Sequence, residues 1–511
     1  MNSAKSAVSN NNRHSIEPTE RVSTGLEGLD CILNGGLPAH HLYLLEGKPG
    51  TDKTTIALEF LLEGIRRKES VLYITLSESA FELRSVAKSH GWSLDGIRII
   101  ELDSTDTLSS ERDYTVFPSS EVELGGTVRR IFDEIKNTEP KRVVFDSLSE
   151  LRLLASDALR YRRQILGLKQ FFNGRKTTIL MIDDLTAEDA NQQLHSISHG
   201  VIALETYTTD FGSTHRRLQV IKIRGSSFQN GFHDFVIQSG RVEVYPRLIA
   251  GHKTTKDYSN QNESMSSGIK ELDQLLGGKI KRGVSALFTG PAGSGKSSLA
   301  MQYLNEVAGN GQRAVAYLFE EGLRSFLHRA AGLGLPLQKH IDSGKLLIHQ
   351  IDPAVLTPGE FAYRIQKEVE ENSARMIVID SLNGYLNAMP TDKYLLIQLH
   401  ELLTYLNNQG VVTLLTLAQQ GLIGLMSVPV DVSYIADIIV LLRYFECNGE
   451  IRKAISVLKN RQAIPERTIR EFRLEKNSIW IGDPLKDFKG VLSGQPEYTG
   501  SQLKLIKNKR E

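Results

Sequence analysis

Residues 290–297 read Gly-Pro-Ala-Gly-Ser-Gly-Lys-Ser, a spacing suited to phosphate chemistry. A polyphosphate needs several backbone N–H donors converging on one point, and a glycine-rich turn leading from a strand into a helix presents them. Gly290, Gly293 and Gly295 let the backbone approach, Lys296 reaches the β and γ phosphates, and the Ser297 hydroxyl stands where Mg²⁺ is ligated. The predicted ATP contacts are Gly290, Gly293, Ser294, Gly295, Lys296, Ser297 and Ser298. An Asp closing a buried apolar strand puts its carboxylate at the sheet edge, ready to hold Mg²⁺ through water. Asp380, at the end of Ile377-Val-Ile-Asp380, fits that place. Hydrolysis also needs a base to orient or deprotonate the attacking water. Glu320 and Glu321, expected at the end of a strand beside the phosphate-loop strand, are the candidates, and with Lys296 they complete the predicted catalytic groups of this half.

The same groups recur upstream. Residues 47–54 read Gly-Lys-Pro-Gly-Thr-Asp-Lys-Thr, giving Gly47, Gly50, Thr51, Lys53, Thr54 and Thr55 as ATP contacts. Thr54 and Asp146 take the Mg²⁺ positions, and Glu78, following Ser77, is the candidate base. Asp52 stands where the other loop has Gly295. A carboxylate there is expected to repel phosphates and to crowd a turn that favours glycine. Sequence alone leaves open whether this half binds nucleotide.

Both sets of residues belong to a repeat. Thr24-Gly-Leu-Glu-Gly-Leu-Asp30 recurs as Ser267-Gly-Ile-Lys-Glu-Leu-Asp273, and the run from Val71 to Glu78 as that from Val315 to Glu321. Val143-Val-Phe-Asp146-Ser-Leu matches Ile377-Val-Ile-Asp380-Ser-Leu, and Val220-Ile-Lys222-Ile-Arg224 matches Val457-Leu-Lys459-Asn-Arg461. Short apolar runs alternate with amphipathic stretches such as 55–67 and 298–308, the pattern of strands and crossover helices. The predicted fold is α/β: two tandem P-loop domains, each a mainly parallel twisted sheet with helices on both faces. Predicted boundaries are an arm at 1–20, domains at 21–251 and 265–494, a polar linker at 252–264 and a basic tail at 495–511.

Length and composition agree with two cores, since 511 residues exceed what one core organises. With 40% hydrophobic and 24% charged residues the chain reads as globular, neither disordered nor membrane-embedded. Cys31 and Cys447 have no metal or redox spacing, so a cytoplasmic location is expected. No apolar run approaches the ~18 residues of a membrane span.

On these motifs the chain resembles the KaiC family of circadian clock ATPases, from about Thr24 to Gly494. The likeness includes Ser89-His-Gly-Trp92, Lys222-Ile-Arg224-Gly225, Lys459-Asn-Arg461 and Ile469-Arg-Glu-Phe472. The resemblance implies tandem RecA-like domains in a double-ring homo-hexamer with Mg²⁺ and ATP at the subunit interfaces. It adds Ser89 to the ATP contacts and implies that Lys222, Arg224, Lys459 and Arg461 reach the neighbour's γ-phosphate, where a cation neutralises transition-state charge. It also implies autophosphorylation of an adjacent Ser-Thr pair, which here is Ser433-Tyr434. Tyrosine carries its hydroxyl far out on a rigid ring, so Ser433 alone is the phosphorylation candidate. The family's arginine partner of the phosphothreonine is Asn387 here, and its aromatic residue near the adenine is Leu333. These departures predict a KaiC-like relative, an ATPase with serine autokinase activity and a signalling or clock-related role. KaiB-like or signalling proteins are the partners implied; ordinary KaiA docking is not expected.

Two rivals stay open on sequence alone. A RecA-like DNA-repair ATPase needs clustered cations. Net charge is +1, and the basic segments 160–163, 216–217 and 504–510 are short and scattered, so nucleic acid is not an expected partner. The other rival is a scaffold that uses ATP only to hold a ring together; Asp52 and Ser77 favour it for the first half, and Glu320-Glu321 count against it for the second.

Overall fold

The computed structural model describes residues 20–102, 131–155, 158–185, 194–208, 214–252, 264–352, 354–387, 393–419, 434–447, 449–492 and 496–500. The predicted arm up to residue 19, linker residues 253–263, Ser433 and the tail from 501 lie outside them. Two compact units divide the chain: Met1–Tyr207 with Thr214–Arg247, and Leu248–Glu511 with the short stretch Thr208–Ser213.

Each unit is built on a nine-stranded sheet. In the second, the strands lie in the order Leu346–Gln350, Ala314–Leu318, Met376–Asp380, Val412–Ala418, Ser285–Gly290, Ile438–Cys447, Glu450–Asn460, Ile469–Glu475 and Ser478–Pro484. The first six run parallel and the last three extend the sheet antiparallel. The first unit repeats this order from Arg98–Glu101 to Arg241–Tyr245, with Leu42–Gly47 in the place of Ser285–Gly290. The central strands read as nearly continuous apolar runs because both their faces are covered. Met376–Asp380 and Ser285–Gly290 are buried along their whole length.

Alternate residues show the two layers of helix. In the first unit Tyr43 and Leu45 pack with Ile56, Phe60 and Leu61 of helix Lys53–Arg66. Leu42 and Leu44 pack on the opposite face with Tyr161, Ile165 and Leu168 of helix Ala158–Phe172. The expected α/β fold with helices on both faces is the one observed.

Two expectations are corrected. The strand leading to Glu320, Ala314–Leu318, is not beside the phosphate-loop strand; Met376–Asp380 and Val412–Ala418 lie between them. The crossover from the loop helix skips two positions, and the strand ending in Asp380 enters the gap. The repeat register also moves by one at its start. Thr75 lies opposite Asp146 as Leu318 lies opposite Asp380, so Val71 corresponds to Ala314, and Ser77 and Glu78 to Glu320 and Glu321.

Candidate nucleotide sites

In the second unit the 290–297 turn joins strand Ser285–Gly290 to helix Lys296–Gly309. Gly295, the residue before that helix, has φ 111°, and a Cβ there would lie 2.5 Å from the Phe472 ring. Both the left-handed backbone and the close ring call for glycine. Lys296 is buried, and its Nζ donates to the carbonyls of Gly290 (2.9 Å) and Pro291 (2.8 Å). Burial pulls its pKa down to about 8, opposed by the charges of Asp380 and Glu320. Both carboxylates thus act on the charge of the loop lysine. The Ser294 hydroxyl is buried there without a partner, the kind of atom a bound ligand or water satisfies.

Asp380 is buried and accepts a hydrogen bond from the Thr416 hydroxyl. Among the described residues no group of three or more His, Cys, Asp or Glu side chains is arranged to hold a metal. One hydroxyl and one carboxylate, Ser297 and Asp380, match Mg²⁺, which keeps several waters and takes its other ligands from phosphate. The acidic pair divides. Glu321 accepts from Ser325 Oγ (3.0 Å) and from Arg329, which ties it to the helix that follows, Leu323–Gly332. Glu320 is exposed, has no ion pair among the described residues, and lies against Gly384, where an added Cβ would sit 3.5 Å from its Cγ.

The first unit keeps the shape of the loop and changes its charges. Asp52 adopts φ 63°, a left-handed conformation that Asp tolerates better than most residues. Its carboxylate is ion-paired with Arg216 at 2.5 Å. The expected bare carboxylate beside the phosphates is therefore not what forms. Lys53 Nζ donates to the Gly47 and Lys48 carbonyls, each at 2.9 Å, as Lys296 does to its counterparts. Lys53 differs in a further contact, an ion pair with Asp184 at 2.8 Å. Asp184 lies opposite Gly47 as Ala418 lies opposite Gly290, so the second unit has a methyl group at that position. Sequence reasoning missed Asp184; setting the strand Thr178–Asp184 beside Val412–Ala418 would have found it.

Asp146 is buried, accepts from Tyr73 Oη at 2.6 Å, and has the Thr54 hydroxyl 3.4 Å away. Burial raises its pKa, and the bonds from Tyr73 and Thr54 oppose the rise. Glu78 is half-buried, with its carboxyl raised by burial and by Asp146, and its Oε2 is buried without a partner. Glu78 thus turns inward, while Ser77, at the position of Glu320, is exposed.

The four cations named from the repeat lie at the far end of each sheet. Lys459 pairs with Ile439, which pairs with Leu287, and the Arg461 N–H bonds the Asp437 carbonyl beside Ser285. Three to five residues of strand separate them from Gly290, roughly 10–16 Å, so they cannot serve their own loop. Lys459 Nζ donates to the Ala436 carbonyl (2.7 Å) and Arg461 pairs with Asp437 at 3.6 Å. Lys222 donates to the His195 carbonyl and Arg224 to that of Ser196 (2.5 Å). Ser89 is exposed at the end of helix Ala80–Ser89 and donates to the Val86 carbonyl (2.7 Å), with no hydrogen bond to the loop. Leu333 packs into the apolar core, Asn387 ends helix Leu382–Asn387, and Tyr434 is exposed.

With that geometry in view, the sequence profile of the KaiC ATPase matches both repeats, over residues 22–249 and 265–486. The chain belongs to the KaiC ATPase family. It is 27% identical over 490 residues to the circadian clock protein KaiC3 of Synechocystis sp. (strain ATCC 27184 / PCC 6803 / Kazusa), covering 94% of this chain and 95% of that one. It is 26% identical over 495 residues to the circadian clock oscillator protein KaiC of Acaryochloris marina (strain MBIC 11017), covering 95% and 93%. The corresponding protein of Synechococcus elongatus (strain ATCC 33912 / PCC 7942 / FACHB-805) is 26% identical over 507 residues, covering 97% and 95%. As a KaiC-family ATPase with tandem repeats, the chain binds and hydrolyses ATP. No helix among the described residues is long and apolar enough to cross a membrane.

Proposed function

We propose that this KaiC-family ATPase works as a cytoplasmic ring of identical chains in which the two tiers are unequal: the second half is the main hydrolytic site and the first half a slower, regulated one. The observation that carries this reading is the contrast between Glu320, an exposed carboxylate whose charge acts on Lys296, and its counterpart position Ser77, which has none. In the second half Lys296 would hold the β and γ phosphates, and Ser297 with water-linked Asp380 would hold Mg²⁺, which supplies charge neutralisation when bound. Glu320 orients and deprotonates the attacking water; Glu321, bonded to Ser325 and Arg329 of the following helix, fixes the turn that carries the pair. Lys459 and Arg461, out of reach of their own loop, act on the phosphate of an adjacent copy. In the first half Lys53, Thr54 and Asp146 keep the binding set, with Glu78 as an inward-turned base, and Lys222 and Arg224 act in trans.

Serine autokinase activity at Ser433 and partnership with KaiB-like or signalling proteins rest on the family resemblance alone. The purified chain incubated with Mg²⁺ and γ-labelled ATP is expected to release phosphate and to carry label on the peptide containing Ser433. Phosphate release without label removes the kinase activity. No release, under conditions where Lys296→Ala behaves identically, removes the hydrolytic assignment.

A further inference from the structure

At the end of the first unit's sheet remote from the phosphate loop, three cations converge on three successive carbonyls. Lys222 donates to His195, Arg224 to Ser196 (2.5 Å) and Lys169, from helix Ala158–Phe172, to Ile197 (2.7 Å). Beside them His41 and His199 stack with ring centroids 3.7 Å apart and planes 8° from parallel. These groups come from separate segments of the chain, and each side chain is at least partly accessible.

Their charges are not balanced locally. Among the described residues none of the five makes an ion pair with a carboxylate, and the Lys169 and Lys222 ammonium groups are destabilised by burial and by Arg224. His199 is held near 4 by burial, His41, Arg224 and Lys169, so both imidazoles stay neutral and offer N–H donors. The second unit resolves the same position differently. Asp437 corresponds to His199, since Arg461 bonds its carbonyl as Arg224 bonds that of His199, and the Asp437 carboxylate pairs with Arg461. Crowded like charges with no internal partner are what a polyanion site requires. Each cation uses one donor on a carbonyl, which fixes its position; among the described residues its other donors, two on each lysine and more on the arginine, have no side-chain or backbone acceptor.

We propose that Lys169 and the stacked His41–His199 pair join Lys222 and Arg224 in one cradle for the terminal phosphates of a nucleoside triphosphate presented by a second copy of this chain. The proposal rests on the ring reading for Lys222 and Arg224, and it assigns three further residues to that contact. It also makes the first half the better anion acceptor in trans, although its own loop lysine is engaged by Asp184.

The test follows Mg²⁺–ATP-dependent assembly of the full chain by sedimentation. Lys169→Ala and His199→Asp are each expected to raise the ATP concentration for half-assembly roughly tenfold, and Lys169→Arg to restore it. In a Lys296→Ala background, mixing Lys53→Ala chains with Lys169→Ala chains is expected to give faster hydrolysis than either alone, because one interface then combines an intact loop with an intact cradle. A wild-type chain that stays monomeric with ATP overturns the ring reading and the cradle together. Normal assembly by both substituted chains overturns the cradle and leaves the ring. Binding of inorganic tripolyphosphate to the monomer through Lys169, with assembly unaffected by its loss, assigns the site to a free anion and overturns the second-copy contact.

Discussion

Asp184 and Asp52 are both acidic neighbours of the first phosphate loop, yet they act differently. Asp52 has its charge taken up by Arg216, whereas Asp184 occupies the lysine that phosphate needs. Asp184→Ala is therefore expected to tighten ATP binding by the first half roughly tenfold, measured by titration in a Lys296→Ala background. Asp52→Gly should change the same affinity less than about threefold, in line with a partly exposed pair. Lys296 gives a second prediction with two signs. Its pKa of about 8 lies below the ordinary 10.5, so between these values the unfolded chain holds more protons, and this group's contribution to stability rises with pH. Affinity for ATP runs the other way, because the cation that meets the phosphates is lost as pH passes 8. Titrations of Lys53→Ala chains at pH 7 and 9 should show second-half affinity falling while the empty protein's denaturation midpoint does not fall on account of Lys296. The residue types were legible in the sequence because the motif fixes them. The split between Glu320 and Glu321 was not, since it depends on Arg329 two turns along a helix.

The elements explain why the two loops share a shape. Phe472 lies over Gly295, and Phe235 holds the same register, opposite Arg216 as Phe472 is opposite Lys453. Gly295→Ala would drive a methyl group to 2.5 Å from that ring at φ 111°. A stability loss of about 1–3 kcal/mol is expected, read as a lower denaturant midpoint at unchanged slope. Strand identities and the loop-to-helix turn could be read from apolar runs and glycines. Their lateral order could not, because spacing along the chain does not say which strands are neighbours; the misplaced Ala314–Leu318 strand is the example. The ion pair between Asp52 and Arg216 was hidden for the same reason, as it spans 164 positions of sequence.

For the whole molecule, duplication followed by divergence gives two loops of one geometry with different electrostatics. The second half has an unobstructed Lys296 and an exposed Glu320; the first has Lys53 paired with Asp184, Ser77 for Glu320, and a cationic far edge. The repeat and the family were legible over nearly the whole chain because the motifs recur in order. The electrostatic differences between the halves, on which the proposed unequal division of work rests, emerge only when equivalent positions are superposed in the sheet. The most direct test of that division is steady-state phosphate release by Lys53→Ala and Lys296→Ala chains, each with its bound nucleotide counted per chain. Lys296→Ala is predicted to remove most of the release and Lys53→Ala to leave most of it; equal losses, or the larger loss with Lys53→Ala, would contradict the account.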